Sequence, residues 1–232
     1  MHLQHIGDEI WIADGPTVSF HGFPYPTRMA LVRLDDGDLW VWSPVDLDSE
    51  LRAEIDGLGP VRHLVSPNKI HHLFLGVWAE AWPAARIYAP PGLARRRKDL
   101  DFEAELGDDP EPAWHGQIDQ VVVGGSLAMD EVLFFHRRSS TCLVGDLVQR
   151  HDPTAQKGWK GVLMRLDGLV GAEGSTPREW RLSFINRDLA RTAAETALGW
   201  QPERLVIAHG AWAPRNGADV LRHGLRWLVP DR

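Results

Sequence analysis

The chain has 232 residues, 44% hydrophobic residues and a net charge of −7, which is typical of one globular domain spanning residues 1–232. The negative charge disfavours nucleic acids and anionic membranes as partners, because both attract basic surfaces. No stretch approaches the roughly 18 uninterrupted apolar residues of a membrane span, and residues 1–11 lack the layout of a secretory signal. We therefore expect a soluble, cytoplasmic protein.

The single cysteine, Cys142, excludes an internal disulfide and a zinc site built from cysteines. Its neighbours Thr141 and Leu143 belong to a predicted strand. We therefore expect an inert, buried thiol.

The chain begins with three predicted strands, residues 9–13, 28–34 and 38–45. Turn sequences at residues 14–16 and 35–37 separate β-favouring residues, which predicts an antiparallel meander.

A helix through Leu51 and Ile55 is predicted next, with N-cap candidates in residues 46–49. The strand at residues 61–65 is apolar without alternation, as expected of a strand buried on both faces. Because strand, helix and strand follow one another, the two strands should pair in parallel. Residues 73–82 predict a helix that is buried on much of its circumference.

The middle of the chain predicts mostly strands. Residues 95–105 mix basic and acidic side chains and indicate a solvated surface, and residues 107–117 read as a loop. The predicted strands here are residues 86–89, 118–123, 131–136 and 141–148.

Helices dominate the last third of the prediction. Residues 176–179 (TPRE) have the spacing of a capping box, and Asn186 and Asn216 are candidate caps of two further helices. The other predicted elements are a helix at residues 160–169 and a strand at residues 205–208.

Two histidines and an aspartate lie at or near the ends of predicted buried strands. His71 belongs to residues 66–72 (SPNKIHH), Asp146 follows Gly145 within its strand, and His209 follows the last strand. Strand ends commonly carry chemistry in layered α/β domains. Two imidazoles and a carboxylate with open positions bind zinc, ferrous iron or manganese.

In the order of these motifs the chain resembles the metallo-β-lactamase fold superfamily. There, a His-x-His-x-Asp-His loop follows one strand, Gly-Asp ends a later strand, and a histidine before glycine ends a late one. Residues 130–136 (DEVLFFH) and 142–147 (CLVGDL) look like the family called domain of unknown function 4336. The resemblance implies an α/β fold, a four-layer αββα sandwich of two mixed sheets with helices outside.

The chain departs from the superfamily's ligand pattern. Ser66, Asn68 and Ile70 stand where the loop has two histidines and the aspartate, and residues 124–126 contain no histidine. The resemblance therefore implies that the first metal site is missing. It implies a second site reduced to three metal ligands, His71, Asp146 and His209.

Those ligands predict a hydrolase-like enzyme that uses one divalent metal ion (Zn, Fe or Mn) and water as the nucleophile, acting on a small-molecule substrate. The alternative is a non-catalytic binding module without metal, in which His71 and His209 hydrogen-bond Asp146. Ile70 favours this alternative, because it adds bulk and removes negative charge where a cation would bind. A third hypothesis is metal-free chemistry with His71 or His209 as the base. The substrate and the oligomeric state stay open.

Asn68, His72 and His21 are the candidate substrate contacts. His72 should point about 100° away from His71 on a helix, so packing competes with this role. His21 lies in a predicted aromatic loop, residues 19–27, where the superfamily carries a substrate-gripping flap; local packing is again the alternative. For two other histidines we expect structural roles. His136 should hydrogen-bond the turn at residues 137–140, and His63 should be a neutral core residue.

Overall fold

A computed structural model describes residues 2–20, 23–152, 158–171 and 173–230, which form two sheets and seven helices. The strands of the first sheet lie side by side in chain order: β1 (Gln4–Gly7), β2 (Ile10–Phe20), β3 (Phe23–Arg33), β4 (Leu39–Trp42), β5 (Val61–Val65), β6 (Arg86–Ala89) and β7 (Phe102–Glu105). The second sheet contains β8 (Ile118–Val123), β9 (Glu131–His136), β10 (Thr141–Val144) and β11 (Arg204–Ile207), in the order β11-β10-β9-β8. The helices are α1 (Ser49–Asp56), α2 (Leu75–Ala81), α3 (Leu93–Arg96), α4 (Gly158–Leu166), α5 (Arg178–Ser183), α6 (Arg187–Gly199) and α7 (Gly217–Leu225).

Both sheets are mixed, as the resemblance implied. Strands β1 to β4 pair antiparallel, and β4 to β7 pair in parallel. In the second sheet β8, β9 and β10 are antiparallel, and β11 runs parallel to β10. The predicted parallel pair across α1 is therefore confirmed, and it is β4 with β5.

The apolar core separates into three clusters that correspond to the layers. The middle cluster joins the facing sides of the two sheets, where Trp40 meets Phe134 with ring centroids 5.1 Å apart. The outer face of the first sheet packs on α1 and α2 through residues such as Ile55 and Trp78. The outer face of the second sheet packs on α6 and α7. The molecule is thus a four-layer αββα sandwich. None of the described helices has the length and apolar character needed to cross a membrane.

Side-chain caps were predicted correctly for two helices. Asp48 accepts a hydrogen bond from the Leu51 N–H at the start of α1, and Asn186 accepts one from the Leu189 N–H at the start of α6. Asn216 precedes α7 but makes no side-chain capping bond.

The predicted capping box at residues 176–179 is wrong. The Thr176 hydroxyl donates to the Gly224 carbonyl at 3.2 Å, and α5 begins after Pro177 without a side-chain cap. A tertiary contact with α7 therefore takes the hydroxyl that the local pattern assigned to the helix start.

The first hairpin is much longer than predicted. The expected turn at residues 14–16 lies inside β2, whose register shifts between Gly15 and Val18. Most of the expected loop at residues 19–27 belongs to β2 and β3, with Val18 opposite Tyr25. A bulge lets a strand continue through residues that would otherwise turn the chain. His21 lies outside the described residues.

Helix α2 is shorter and less buried than predicted. Leu75 and Trp78 are fully buried, but Leu73 is 58% exposed and Val77 is 48% exposed. The reason is that α2 covers one side of the first sheet, so only one face of the helix finds a partner. Residues 69–74 form turns before the helix begins, so His72 does not lie in its first turn.

Four smaller features differ from the prediction. The elements β1, α3 and β7 were not predicted, and β10 ends at Val144, so Asp146 lies in the loop after the strand. Each missed element has only four residues. Strand β7 (FEAE) also lies at a sheet edge. Its alternating acidic residues therefore indicated a solvated surface instead of a strand.

Candidate metal centre

Three ligand-type side chains converge at one end of the two sheets. Asp146 and His209 each lie two residues beyond parallel neighbouring strands, β10 and β11, so both follow the same edge of the second sheet. His71 comes from the turns after β5 in the first sheet. One ligand atom from each lies within 4.8 Å of the others, and no other such cluster of histidine, cysteine or acidic residues occurs in the described part of the chain.

Each oxygen of the Asp146 carboxylate faces one imidazole. Nε2 of His71 lies 3.0 Å from Oδ2, and Nε2 of His209 lies 3.2 Å from Oδ1. The ring centroids of the two histidines are 5.1 Å apart. All three side chains are at most 8% exposed. Two nitrogens and one carboxylate are thus held together away from bulk water.

The far side of each imidazole has its own hydrogen-bond partner. Nδ1 of His71 lies 2.7 Å from the Ser43 hydroxyl. Nδ1 of His209 lies 2.7 Å from the Pro26 carbonyl, which only accepts, so the proton sits on this nitrogen. A neutral His209 therefore turns the lone pair of Nε2 toward Asp146. Such partners orient metal-binding histidines.

The surroundings of Asp146 favour its ionised form, and those of His209 favour its protonated form. Burial alone would lower the pKa of His209, but the Asp146 carboxylate, together with the Pro26 carbonyl and Glu131, raises it. Burial would likewise raise the pKa of Asp146, and the two histidines instead hold it far below its usual range. The Asp146 carboxylate is therefore ionised, and a positive charge beside it is favourable.

Asn68 supports Asp146 through a hydrogen bond. Its amide nitrogen donates to Asp146 Oδ2 at 2.8 Å and to Glu131 Oε2 at 2.9 Å, and its oxygen accepts from the Ile70 and His71 N–H groups. Asn68 is fully buried and is not in the described wall of the cleft. This placement makes it a positioning residue, and its contact with a substrate stays a prediction.

Sequence reasoning missed Glu131, which shapes the loop that carries Asp146. Its fully buried carboxylate accepts the N–H groups of Gly145, Asp146 and Leu147 at 2.9, 2.7 and 3.3 Å. Burial, reinforced by Asp146, raises its pKa to about 7. The available sequence signal was the acidic residue Glu131 at the start of an otherwise apolar strand.

A cleft of about 620 Å³ opens over the three ligands. His71, Asp146 and His209 lie in its wall together with Ile70 and His72. Most of the remaining wall is apolar and includes Val18, Leu73, Phe74, Met129 and Trp180. Charged side chains in the wall are Lys69, Arg96 and Glu179.

Two residues of β3, both missed as site residues, support His209. The Tyr25 ring lies 5.1 Å from the His209 ring, and burial, reinforced by Asp146, raises the Tyr25 pKa to about 12. Arg28 donates to the carbonyls of Ile207 and Gly210 at 2.8 and 2.6 Å. The first hairpin therefore fixes the position of the end of β11.

The described candidate histidines outside the cluster hydrogen-bond to other groups. Nδ1 of His72 lies 2.9 Å from Nη1 of Arg97, and His72 also lines the cleft. His136 lies 2.8 Å from the Ser139 hydroxyl, as predicted, and burial lowers its pKa to about 4. His63 is buried, and burial lowers its pKa, consistent with a neutral core residue.

The residues that stand where the resemblance implied additional metal ligands make structural contacts. The Ser66 hydroxyl donates to the Asn68 carbonyl at 2.8 Å, and Ser126 lies 2.7 Å from the Ser183 hydroxyl. Ile70 occupies part of the cleft wall. The described residues at these positions thus form no second group of ligands.

Comparisons with known proteins agree with this architecture. A family described as Domain of unknown function (DUF4336) matches residues 7–157. A structure of the DIM-1 metallo-β-lactamase exposed to ceftazidime is similar with a TM-score of 0.65 and 15% identity, covering 98% of this chain and 95% of that one. The metallo-β-lactamase from Pontibacter korlensis gives 0.64 and 16%, covering 99% of both chains.

A metal-soaked Flv1 flavodiiron core from Synechocystis sp. PCC6803 gives a TM-score of 0.65 and 12% identity, covering 98% of this chain and 60% of that one. No curated protein sequence matches the chain. At these identities the structural similarities show a metallo-β-lactamase fold and nothing finer.

Proposed function

The chain belongs to the DUF4336 family, and we propose that it is a hydrolase that depends on one divalent metal ion held by His71, Asp146 and His209. One observation carries the proposal. Because Nδ1 of His209 donates to the Pro26 carbonyl, a neutral ring directs an electron pair at an ionised carboxylate only 3.2 Å away. Two electron-pair donors at that distance repel each other unless a cation or a proton lies between them.

The donor set fits a divalent cation. Ligand atoms around tetrahedral zinc lie roughly 3.3 Å apart, as bonds of about 2.0–2.1 Å require. The 3.0 and 3.2 Å separations of the Nε2 atoms from the Asp146 oxygens are close to that value. Zinc, ferrous iron and manganese all accept imidazole and carboxylate together.

A cation bound there would act as a Lewis acid on a carbonyl group and would lower the pKa of water. The protein's own residues supply orientation. Asn68 fixes Asp146, while the Pro26 carbonyl fixes the tautomer of His209. The apolar wall of the cleft would bind the substrate and exclude competing water. We therefore propose a small, mainly apolar ester, thioester or amide as the substrate, and no nucleic acid or membrane as a partner of this site.

A non-catalytic binding module is the second candidate function. The same 3.0 and 3.2 Å separations are hydrogen-bond distances if His71 and His209 carry protons on Nε2. The raised pKa of His209 supports that arrangement. In this case the cluster stabilises the fold, and the cleft binds a ligand without reacting with it.

Metal content distinguishes the two candidates. We expect untagged protein, purified without chelator, to hold about one equivalent of Zn, Fe or Mn by elemental analysis. Asp146→Asn keeps the shape of the side chain but should lower metal affinity by at least about 100-fold. Asp188→Asn is the matched control, since Asp188 is an exposed residue of α6 that pairs with Arg191.

Two outcomes would count against the hydrolase. Absence of bound metal, with no rise in melting temperature on adding the three ions, would leave the metal-free module. Stoichiometric metal without hydrolysis of a panel of apolar esters, thioesters and amides would keep the metal site and remove the enzyme.

A further inference from the structure

A second cleft, of about 400 Å³, lies among the helices outside the second sheet. Its wall comes from the end of α4, from α5, and from the beginning of α6 and the end of α7. It shares no lining residue with the cleft over His71. The inference below therefore does not depend on the proposed hydrolase.

The wall of this cleft is strongly basic. Among the described residues it contains five guanidinium groups and one carboxylate, that of Asp167, in a chain whose net charge is −7. The five are Arg165, Arg178, Arg181, Arg187 and Arg226. Clustered arginines repel one another, so such a wall is costly unless an anion binds there.

The carboxylate is already neutralised. Nε of Arg178 lies 3.0 Å from Asp167 Oδ1. One guanidinium group therefore offsets the acid, so the described wall carries an excess of positive charge.

Arg181 has unused hydrogen-bonding capacity. Its Nε atom is buried and has no hydrogen-bond partner among the described residues, and its Nη2 reaches only the Asp167 carbonyl, at 3.5 Å. Burial lowers the pKa of Arg181; Asp167 opposes this shift, and the neighbouring charges of Arg226 and Arg178 lower the pKa further. A buried donor without an acceptor costs about 1–3 kcal/mol, so the described contacts of Arg181 do not satisfy this guanidinium group.

The rest of the wall is apolar. The Arg187 guanidinium lies 6.0 Å from the centre of the Trp227 ring, which also lines the cleft. Leu166 and Leu182 line the cleft and are 67% and 71% exposed. A ligand that joins an anionic group to an apolar group would match both parts of the wall.

We propose that this cleft binds the phosphate group of an organic phosphate. Guanidinium groups pair with phosphate oxygens in two-point geometry, which favours phosphate over a simple halide. The phosphate would contact Arg181 and Arg226, and the apolar part would contact Trp227 and Leu182. A soluble phosphate ester and a lipid headgroup share this chemistry.

The test is calorimetric titration at low salt with phenyl phosphate, inorganic phosphate and chloride, together with cosedimentation on phosphatidylglycerol vesicles. We expect phenyl phosphate to bind more tightly than inorganic phosphate, and chloride not to bind. Arg181→Gln should lower that affinity at least about tenfold, because a charge-assisted hydrogen bond is lost. Arg86→Gln is the matched control: Arg86 lies on β6, is 62% exposed and pairs with Glu103.

If Arg181→Gln fails to fold, Arg226→Gln replaces it as the test variant. Circular dichroism of each variant checks folding. Binding of phenyl phosphate alone identifies a soluble ligand, and binding to vesicles that both cleft variants lose identifies a lipid headgroup. The proposal is overturned if no probe binds at millimolar concentration, or if the cleft variants bind as well as Arg86→Gln.

Discussion

His209 donates its Nδ1 proton to the Pro26 carbonyl across 183 positions of sequence, at 2.7 Å. This bond connects the end of β11 with the first hairpin and decides which nitrogen faces Asp146. The ring is also held in place by Tyr25, which packs at 5.1 Å. A residue near the start of the chain thus sets the tautomer of His209, near its end.

Asn68→Ala should weaken metal binding even though Asn68 is not a ligand. The change removes the donor at 2.8 Å from Asp146 Oδ2, and loss of such a supporting bond typically lowers metal affinity by about 10- to 100-fold. The change also removes one of the hydrogen-bond donors to Glu131 Oε2, so the free energy of unfolding should fall by about 1–3 kcal/mol. Competition with a chelator and urea unfolding measure the two effects.

Asn186→Ala is the control for Asn68→Ala. It removes the cap of α6, which should lower the free energy of unfolding by about 1 kcal/mol and leave metal affinity unchanged. Equal metal affinity of Asn68→Ala and the wild type would mean that Asn68 is only structural.

Gly210→Ala should be severely destabilising. Gly210 has φ +106°, and a Cβ atom there would overlap the Arg150 carbonyl. We expect the free energy of unfolding to fall by more than about 4 kcal/mol, because both strain and collision act. Gly37→Ala shares the positive φ, at +90°, but its Cβ would meet no atom within 4 Å. That control should lose only about 1–2 kcal/mol in urea unfolding, and similar losses in both variants would contradict the expectation.

His136 should make stability depend on pH. Burial lowers its pKa in the folded protein from 6.5 to about 4, with a further contribution from Arg138. Between these values the unfolded chain holds the extra proton, so stability is complete above pH 6.5 and falls as the pH decreases. The loss from this group should reach roughly 3 kcal/mol near pH 4.

Urea unfolding of His136→Gln between pH 7.5 and 4.5 isolates that contribution. The variant should lose less stability than the wild type as the pH falls, whereas His115→Gln, at an exposed position, should follow the wild type. Parallel curves for wild type and His136→Gln would contradict the assigned linkage.

Much of the fold could be predicted because its signals are local. The apolar run at residues 61–65 and the cap at Asp48 depend on residues a few positions apart, and both are confirmed. Where a tertiary contact competes with a local signal, the prediction failed. The Thr176 hydroxyl bonds to α7 instead of capping α5, and the turn sequence at residues 14–16 is absorbed into a strand pair.

The sequence by itself determined the family, the order of most of the elements and three ligand-type residues placed near strand ends. Only the tertiary structure decided that His71, Asp146 and His209 converge, and that Asn68 and Glu131 support them from behind. The physical reason is distance along the chain. His71 and Asp146 are 75 positions apart, so no local pattern encodes their 3.0 Å separation, and only the packing of two sheets brings them together.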